Sequence, residues 1–283
     1  IKQSYDDPDD LIYNYFQSIY YSNNPLALSI LGTEKTVSSI TRQDLIEHLN
    51  NYYNINNMVF VASGNVEEEV ILEQLNRIEH NHTSGSTINF TKANHSSAKG
   101  VLLKDNLVQS QCIISYPAAS LLDDNYYSYA VISAILGRGM SSRLFKEVRE
   151  KRGLVYSIYS AISAYKDVGS LAVQAACSYN NIKEVISLVT EEFSKLANIA
   201  VTDEELLKAK KQLVSSLYMS LENSYNRSER WAYNILNFNY IVSPKDISTK
   251  INAITKENIL QSAKALISTS PAIAVLSGKH IEL

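Results

Sequence analysis

Hydrophobic positions along the chain follow two periods, one close to the helical repeat and one of two residues. The helical period predicts helices over residues 7–20, 66–78, 123–136, 181–197, 202–222, 225–238 and 246–252. The two-residue period predicts strands over 100–105, 110–116, 155–165 and 168–177, the last two joined by the tight turn YKDVG and therefore antiparallel. Because the strands are few and grouped and the helices follow in blocks, the pattern predicts the α+β class.

Two segments of the chain repeat one pattern. Residues 40–64 read ITRQDLIEHLNNYYNINNMVFVASG, residues 254–278 read ITKENILQSAKALISTSPAIAVLSG, and the two segments align without a gap over 25 positions. In each copy a threonine, Thr41 or Thr255, is predicted to cap a helix. A strand is predicted to follow, MVFVA in the first copy and AIAVL in the second. The repeat indicates two homologous domains.

The two copies differ in what precedes them. From Gly100 to Ile254 there are 154 residues, whereas only 39 residues precede Ile40. We therefore expect the first domain to be incomplete, with its front part missing from this chain. Each domain is predicted to be an antiparallel-rich mixed sheet covered by helices on one face. The predicted division is a remainder of the first domain over 1–78, a linker rich in Ser, Thr, Asn and His over 79–98, and a complete second domain over 99–283.

Composition excludes several classes of partner. The 26 basic and 29 acidic residues give a formal net charge of -3, so no global field favours nucleic acid. No apolar run approaches the length of a membrane span, so the sequence predicts no membrane-spanning helix. Cys112 and Cys177 lie in apolar runs and are expected to be buried reduced thiols. The 19 tyrosines are interpreted as codon bias of an AT-rich source, and the compartment stays open between bacterial cytoplasm, periplasm and an organellar matrix.

The sequence contains no catalytic motif of its own. Its five histidines form no His-x-x-Glu-His or His-Glu-x-x-His pair, which a catalytic zinc would need. A Gly-x-Ser-x-Gly elbow, a phosphate-binding glycine loop and a dinucleotide fingerprint are also absent. The sequence therefore predicts neither a metal ligand nor a catalytic residue within this chain.

One stretch, GMSSRLFKEVREKRGLVYSIYS at 139–160, concentrates positive charge in a nearly neutral chain. It is compatible with a solvated helix end: Ser141 or Ser142 caps an α-helix, and Gly153 ends it in a left-handed conformation. Basic residues in the last turn also complement the helix dipole. Beyond the glycine, alternation predicts Tyr156 on the same face as Ile158, and Tyr159 on the opposite face as the tyrosine that packs into the sheet.

The motifs of this stretch resemble a known family. LGRGMSSRLFKEVREKRGLVYSIYS is similar to the motif in the second homologous domain of the pitrilysin-type zinc peptidases, which include the processing peptidases. SITRQDLIEHLNNYYNINNMVFVASGNV at 39–66, with PLALSILGTEKTVSSI before it, resembles the end of that family's first domain. The resemblance runs from about Asp7 to the end, and it implies two similar α+β domains that enclose a cavity.

The resemblance also implies how a site would be shared. In the family, the zinc motif and a third ligand, a glutamate, lie in the first domain, and IKQSYDDPDDL matches the segment directly after that glutamate. Zinc is therefore expected in the intact enzyme, with no metal bound by this chain. The family's second domain contributes an Arg and a Tyr seven residues apart, here Arg149 and Tyr156, which are expected to bind backbone carbonyls of the substrate peptide. Lys151 and Arg152 are left as a solvated helix end.

Gly137, Arg138 and Gly139 are a further possible contact with substrate. Relatives often have three small residues at this turn, and Arg138 departs from that pattern. An arginine here can narrow the cavity, bind an acidic substrate residue, or face solvent.

The sequence as a whole predicts part of a zinc metalloendopeptidase of processing-peptidase type. Its expected partners are an extended or unfolded peptide and either the missing amino-terminal segment or a homologous subunit, without nucleic acid or a membrane span. The chain alone is expected to be inactive. The alternative is a non-catalytic peptide-binding or scaffolding subunit of the same family, and retention of both Arg149 and Tyr156 favours the enzyme.

Overall fold

The computed structural model describes residues 1–77 and 91–283. The strands are β1 Lys99–Leu103, β2 Ser110–Ala118, β3 Val155–Ala164, β4 Gly169–Cys177 and β5 Ala272–Ser277. The helices are α1 Lys2–Asp6, α2 Pro8–Tyr20, α3 Glu34–Ser39, α4 Arg42–Tyr52, α5 Glu68–Asn76, α6 Tyr126–Gly137, α7 Ile182–Asn198, α8 Asp203–Ser220, α9 Ser224–Phe238, α10 Pro244–Ala253 and α11 Lys256–Ile267. A π-helix spans Phe145–Lys151, and 3-10 turns occupy Pro25–Ala27, Ile55–Asn57 and Tyr179–Asn181.

The five strands form one mixed sheet. Its order is β1-β5-β2-β4-β3, with β1 parallel to β5 and the other neighbours antiparallel. The turn between β3 and β4 is closed by a 2.8 Å hydrogen bond from the Tyr165 amide to the Val168 carbonyl, as the YKDVG turn predicts. The α+β class predicted from the sequence is confirmed.

One face of the sheet is covered by α6, α7 and α11. Helix α7 turns an apolar face inward, and its Phe193 ring lies 4.6 Å from the ring of Tyr116 on β2. Helix α6 packs against β3, where the Ser160 hydroxyl donates a 2.6 Å hydrogen bond to the Ser133 carbonyl. Each large apolar side chain buried in this layer contributes about 1.5–3 kcal/mol.

Helix α2 covers part of the opposite face. It begins where the Asp7 carboxylate accepts a hydrogen bond from the Asp9 amide, with Pro8 in the first turn. Its buried side chains, among them Ile12 and Phe16, pack in one cluster with Ala274 of β5 and Ile113 of β2. The helix predicted over 7–20 is thus confirmed, and tertiary packing places it against β1, β5 and β2.

The chain divides into two compact units. The first contains residues 1–32, 91–214 and 248–283, and the second contains the described part of 33–90 together with 215–247. The predicted domain boundaries at 78 and 99 stay a prediction. Most of the predicted linker, through residue 90, lies outside the described residues, and 91–98 form neither helix nor strand.

The two repeat copies fold alike in their helices and differently in their strands. Capping boxes at Thr41 and Thr255 begin α4 and α11, as predicted. AIAVL forms the buried strand β5, but the strand predicted for MVFVA is wrong, since residues 58–62 have no regular structure. Strand formation needs a hydrogen-bonded neighbour, and within the described residues no strand pairs with this segment. Nor does any helix among them combine the length and apolar character needed to cross a bilayer.

Candidate functional site

The stretch at 139–160, called the basic segment below, contains a tightly packed helical turn. Leu144 and Val148 are fully buried, and Gly153 adopts a left-handed φ of 62° that ends the helix as predicted. The predicted α-helix is instead a π-helix, in which backbone hydrogen bonds span one residue more than in an α-helix. Sequence periodicity did not distinguish the two, because both helix types place Leu144 and Val148 on one face.

Three of the five cations of this segment, Arg149, Lys151 and Arg152, differ in their partners. Lys151 pairs with Glu147 at 2.9 Å, and Arg152 reaches Glu147 at 3.2 Å and Glu184 at 3.3 Å. Arg149 is exposed and forms no ion pair within the described part of the chain, and its guanidinium lies 4.8 Å from the centroid of the Phe145 ring. A cation held over a ring keeps its N–H donors free for another acceptor. Lys151 and Arg152 are therefore held in ion pairs, whereas the Arg149 guanidinium is not.

Tyr156 lies at an irregularity in β3. Val155 pairs with Cys177 and Ser157 with Ala176, so Tyr156 is an extra residue opposite the partner strand. Such a bulge changes the direction of a side chain. The Tyr156 side chain is 61% exposed while Ile158 is 6% exposed, so the predicted common face of these two residues is wrong. The sequence contains no glycine or proline that marks this bulge.

The alternation that follows the bulge is regular. Ile158 and Ser160 point to the helix layer, and Tyr159 and Ala161 line a cavity on the side of α2. The prediction that Tyr159 packs into the sheet is wrong, because the residue is 45% exposed and lines that cavity.

The glycine turn before the segment is built for close packing. A Cβ on Gly137 would lie 2.5 Å from the backbone nitrogen of Ser160, so only glycine lets α6 approach β3 here. Gly139 has a φ of 88°, and the Arg138 carbonyl accepts a 3.0 Å hydrogen bond from the Gln212 amide. Arg138 is exposed. The suggested contact of these three residues with substrate stays a prediction.

Arg143 anchors the start of the segment. Its guanidinium donates 2.7 Å and 3.1 Å hydrogen bonds to the two carboxylate oxygens of Glu205 and lies 3.9 Å from buried Glu192. Burial alone would raise the pKa of Glu205, but the hydrogen bonds from Arg143 hold that pKa below its ordinary value. This bidentate pair ties the helical turn before Arg149 to α8.

Replacing Arg143 by methionine is expected to lower the free energy of unfolding at neutral pH by about 1–2 kcal/mol, because Glu205 would stay partly buried and lose its bidentate partner, while Glu192 would keep its pair with Lys195. A depressed carboxyl pKa stabilises the fold above its unfolded value and loses that effect as pH falls through the folded value. The difference between the wild type and the Arg143→Met variant should therefore shrink below about pH 4.5, the ordinary value. Urea unfolding across pH measures it.

Lys208→Met is the matched control, because Lys208 pairs with Glu204 on the solvent-exposed surface of the same helix. Its unfolding midpoint should match the wild type within experimental error at every pH. Equal losses in both variants would show that the Arg143 pair is an ordinary surface pair.

The histidine and cysteine side chains that the structure describes do not come together at this site. His95 stacks against Tyr20, and His48 lies beside Tyr52 and Tyr53, while His80 and His82 lie outside the described residues. Cys112 and Cys177 are buried free thiols, as predicted, and burial raises the pKa of Cys177 to about 11. Within 1–77 and 91–283, no three His, Cys, Asp or Glu side chains are placed to hold a metal ion together.

Sequence reasoning missed a cavity lined by aromatic side chains. Tyr13, Phe16 and Tyr21 on and just after α2 face Tyr159 and Tyr165 across a space of about 190 Å³. The only signal in the sequence was the excess of tyrosine, which composition alone could not separate from codon bias.

Comparisons with known proteins agree with this fold. The family model described as the peptidase M16 inactive domain matches residues 39–213. An uncharacterized zinc protease of Rickettsia felis is 31% identical over 98% of this chain and 67% of its own length, and one of Bacillus subtilis is 28% identical over 98% and 68%. Among solved structures, a chain of complex III2 from Candida albicans superposes with a TM-score of 0.88 at 21% identity, covering 98% of this chain and 68% of its own. A peptidase M16 inactive domain from Pseudomonas fluorescens gives 0.88 at 17%, covering 100% and 68%.

Proposed function

The chain belongs to the peptidase M16 family, and we propose that it supplies the peptide-binding second lobe of a zinc-dependent metalloendopeptidase of processing type. In this proposal residues 99–283 form that lobe, 79–98 link it, and 1–78 belong to the zinc-bearing first lobe. The relatives named zinc proteases support the peptidase class. The processing type and the assignment of residues to lobes are our inference.

One observation carries the assignment of the site: Arg149 is left without an ion pair in the described chain while the two basic residues beside it are paired. A guanidinium donates several hydrogen bonds in a fixed geometry and suits carbonyl oxygens of an extended peptide. The phenol of exposed Tyr156 is a second donor, and it follows Arg149 across the Gly153 turn, where the π-helix packs on β3. Together they can hold a peptide carbonyl and stabilise negative charge that develops on it.

The position of β3 favours an extended peptide. Within the described sheet β3 pairs only with β4, so one side of its backbone offers free N–H and C=O groups. An unfolded peptide can add there as a further strand, with main-chain hydrogen bonds for affinity. Arg149 and Tyr156 lie at the start of this edge and would fix the position of the peptide along it.

The described residues do not fit a zinc site, since no cluster of three suitable ligands occurs among them. The role proposed for these residues therefore includes no step that depends on a zinc ion held by them. The chemistry that this chain contributes is binding and orientation of the peptide.

The first repeat copy supports the assignment of α4, which lies in the second compact unit, to a different lobe. Leu45 and Leu49 of α4 are 56% and 47% exposed, whereas Ile259 and Ala263 at the equivalent positions of α11 are each 1% exposed. The same helix pattern thus has a sheet to cover in one copy and none among the described residues in the other. A sheet of the first lobe would bury that face.

The competing proposal is a non-catalytic subunit that binds peptides or supports a partner. The description of the matching family model as an inactive domain is the observation that favours it. The likeness to a chain of complex III2, at 21% identity, shows the fold alone, so experiment has to separate the two proposals.

We expect the 283-residue chain by itself to show no zinc-dependent cleavage of an unstructured casein peptide, but to bind it. Cleavage is measured by mass spectrometry with and without added zinc and a chelator, and binding by fluorescence anisotropy of the labelled peptide. Cleavage that the chelator abolishes would contradict the proposal that the residues able to hold zinc lie outside 1–77 and 91–283. Lack of any peptide binding would contradict the proposed lobe and would favour a subunit that only supports a partner.

A further inference from the structure

The cavity between α2 and the outer face of β3 and β4 lies within the first compact unit and takes no part in the function proposed above. It has a volume of about 190 Å³. Phe16 and Tyr21 are 3% and 1% exposed and form its buried end, while Tyr13 and Tyr159 are 40% and 45% exposed and form its mouth. The space is therefore open to a small ligand and enclosed by rings at the far end.

Five of the twelve lining residues are aromatic, and two of them form a corner. The rings of Tyr21 and Tyr165 lie 6.0 Å apart at an angle of 83°, so they present walls in two directions. Burial raises the pKa of Tyr21 and Tyr165, so both rings remain neutral phenols in ordinary conditions. Perpendicular neutral rings around a small space are the arrangement that binds organic cations, because each ring face carries partial negative charge.

Negatively charged carboxylates lie near the cavity, as the binding of a cation requires. No lysine or arginine is among its lining residues in the described chain. The Asp9 carboxylate accepts a 2.8 Å hydrogen bond from the side-chain amide of Gln174, which lines the cavity. Asp167, in the turn next to Tyr165, accepts a 2.7 Å hydrogen bond from the Ala93 amide. Lys166 precedes Asp167 and lies outside the lining.

The raised pKa values of two lining tyrosines agree with the positions of Asp9 and Asp167 near the cavity. Burial and then the Asp9 carboxylate raise the pKa of Tyr159, and burial together with neighbouring groups that include Asp167 raises that of Tyr21. Two carboxylates thus act on rings at the mouth and at the buried end. An uncharged apolar ligand would gain only from the walls, whereas a cation gains from the walls and from both carboxylates.

We propose that this cavity, formed by Tyr13, Phe16, Tyr21, Tyr159 and Tyr165, is a binding site for the head of an organic cation, an alkylated ammonium group. The proposal does not depend on peptidase function. The same chemistry occurs in a free small molecule and in the side chain of a peptide.

The test compares cations with neutral ligands of the same shape. We expect the chain to bind choline about five- to thirtyfold more tightly than its carbon isostere, in which a tert-butyl group replaces the trimethylammonium head. Titration followed by NMR of the ligand methyl signals measures both dissociation constants. A second pair, Nα-acetyl-lysine amide and the amide of Nα-acetyl-2-aminoheptanoic acid, in which a methyl group replaces the ammonium, tells whether a side-chain ammonium is preferred to the free quaternary one.

Variants locate the site. Tyr159→Leu keeps an apolar wall without a ring and should lower the preference for choline about two- to fivefold. Asp9→Asn keeps an acceptor for Gln174 and should also lower that preference, since the charge is lost. Tyr225→Leu, on an exposed tyrosine far along the chain in α9, is the control and should leave it unchanged. Equal binding of each cation and its isostere, no binding of either cation, or a preference unaffected by Tyr159→Leu and Asp9→Asn would overturn the proposal.

Discussion

Replacing Arg149 by methionine is expected to weaken binding of an unstructured casein peptide by about ten- to hundredfold, because a hydrogen bond that involves a charged group contributes about 1.5–3 kcal/mol. Methionine keeps an unbranched apolar side chain over Phe145 and removes the donors. Since Arg149 is exposed and has no ion pair within the described residues, the thermal midpoint should stay that of the wild type. Fluorescence anisotropy and differential scanning calorimetry provide the two measurements.

Arg152→Met is the matched control for that experiment. It removes the same charge three residues away, from a side chain already paired with Glu147 and Glu184. Peptide binding should change less than about twofold. Tyr156→Phe, which removes only the phenol donor, should weaken binding by a smaller factor than Arg149→Met, since a neutral donor contributes less than a charged one. If Arg149→Met and Arg152→Met weakened binding equally, net charge and not a specific contact would explain the affinity.

Gly169→Ala is expected to have the largest effect on stability, lowering the free energy of unfolding by about 3 kcal/mol, the upper end of the usual cost of added volume at a packed position. Gly169 begins β4 opposite Ala118, and a Cβ there would overlap the carbonyl group of Ala119. That obstacle is backbone, held in place by the β2–β4 pairing, so it cannot rotate away as a side chain can. Urea unfolding followed by far-UV circular dichroism measures the loss.

Gly100→Ala provides the comparison, because it adds the same methyl group to a glycine in β1 of the same sheet. The atom in its way is the Tyr15 hydroxyl, the far end of a half-buried side chain that can rotate. The alanine also restricts the unfolded chain. We expect a change below about 1 kcal/mol. A large loss in both variants would mean that the sheet tolerates no added volume on either strand, and a small loss in both would contradict the backbone obstacle at Ala119.

Periodicity predicted most helices and strands because their burial is regular. Helix α7 presents one repeating set of apolar residues to its neighbours, so the pattern of the sequence is the pattern of the packing. The caps at Thr41 and Thr255 were equally accessible, since a capping box is a local arrangement of four residues.

The residues proposed for the site were identified by another route than hydrophobic periodicity. Arg149 and Tyr156 came from a resemblance, and their spacing alone did not separate them from Lys151 and Arg152. The structure separates these cations through partners distant in sequence, since Glu184 pairs with Arg152. The bulge at Tyr156 was not predictable either, because it depends on the register with β4 and on no residue type within β3.

The sequence by itself determined the α+β class, the repeat, the position of most elements and the family, since these depend on local period and on ordered motifs. Only the tertiary structure decided that the segment at 58–62 is not a strand, that α2 packs on the sheet, that Tyr159 faces a cavity, and that Lys151 and Arg152 are ion-paired while Arg149 is not. The physical reason is that these features depend on which groups become neighbours in the folded chain. Burial, hydrogen bonding and charge pairing between distant segments are absent from any local pattern.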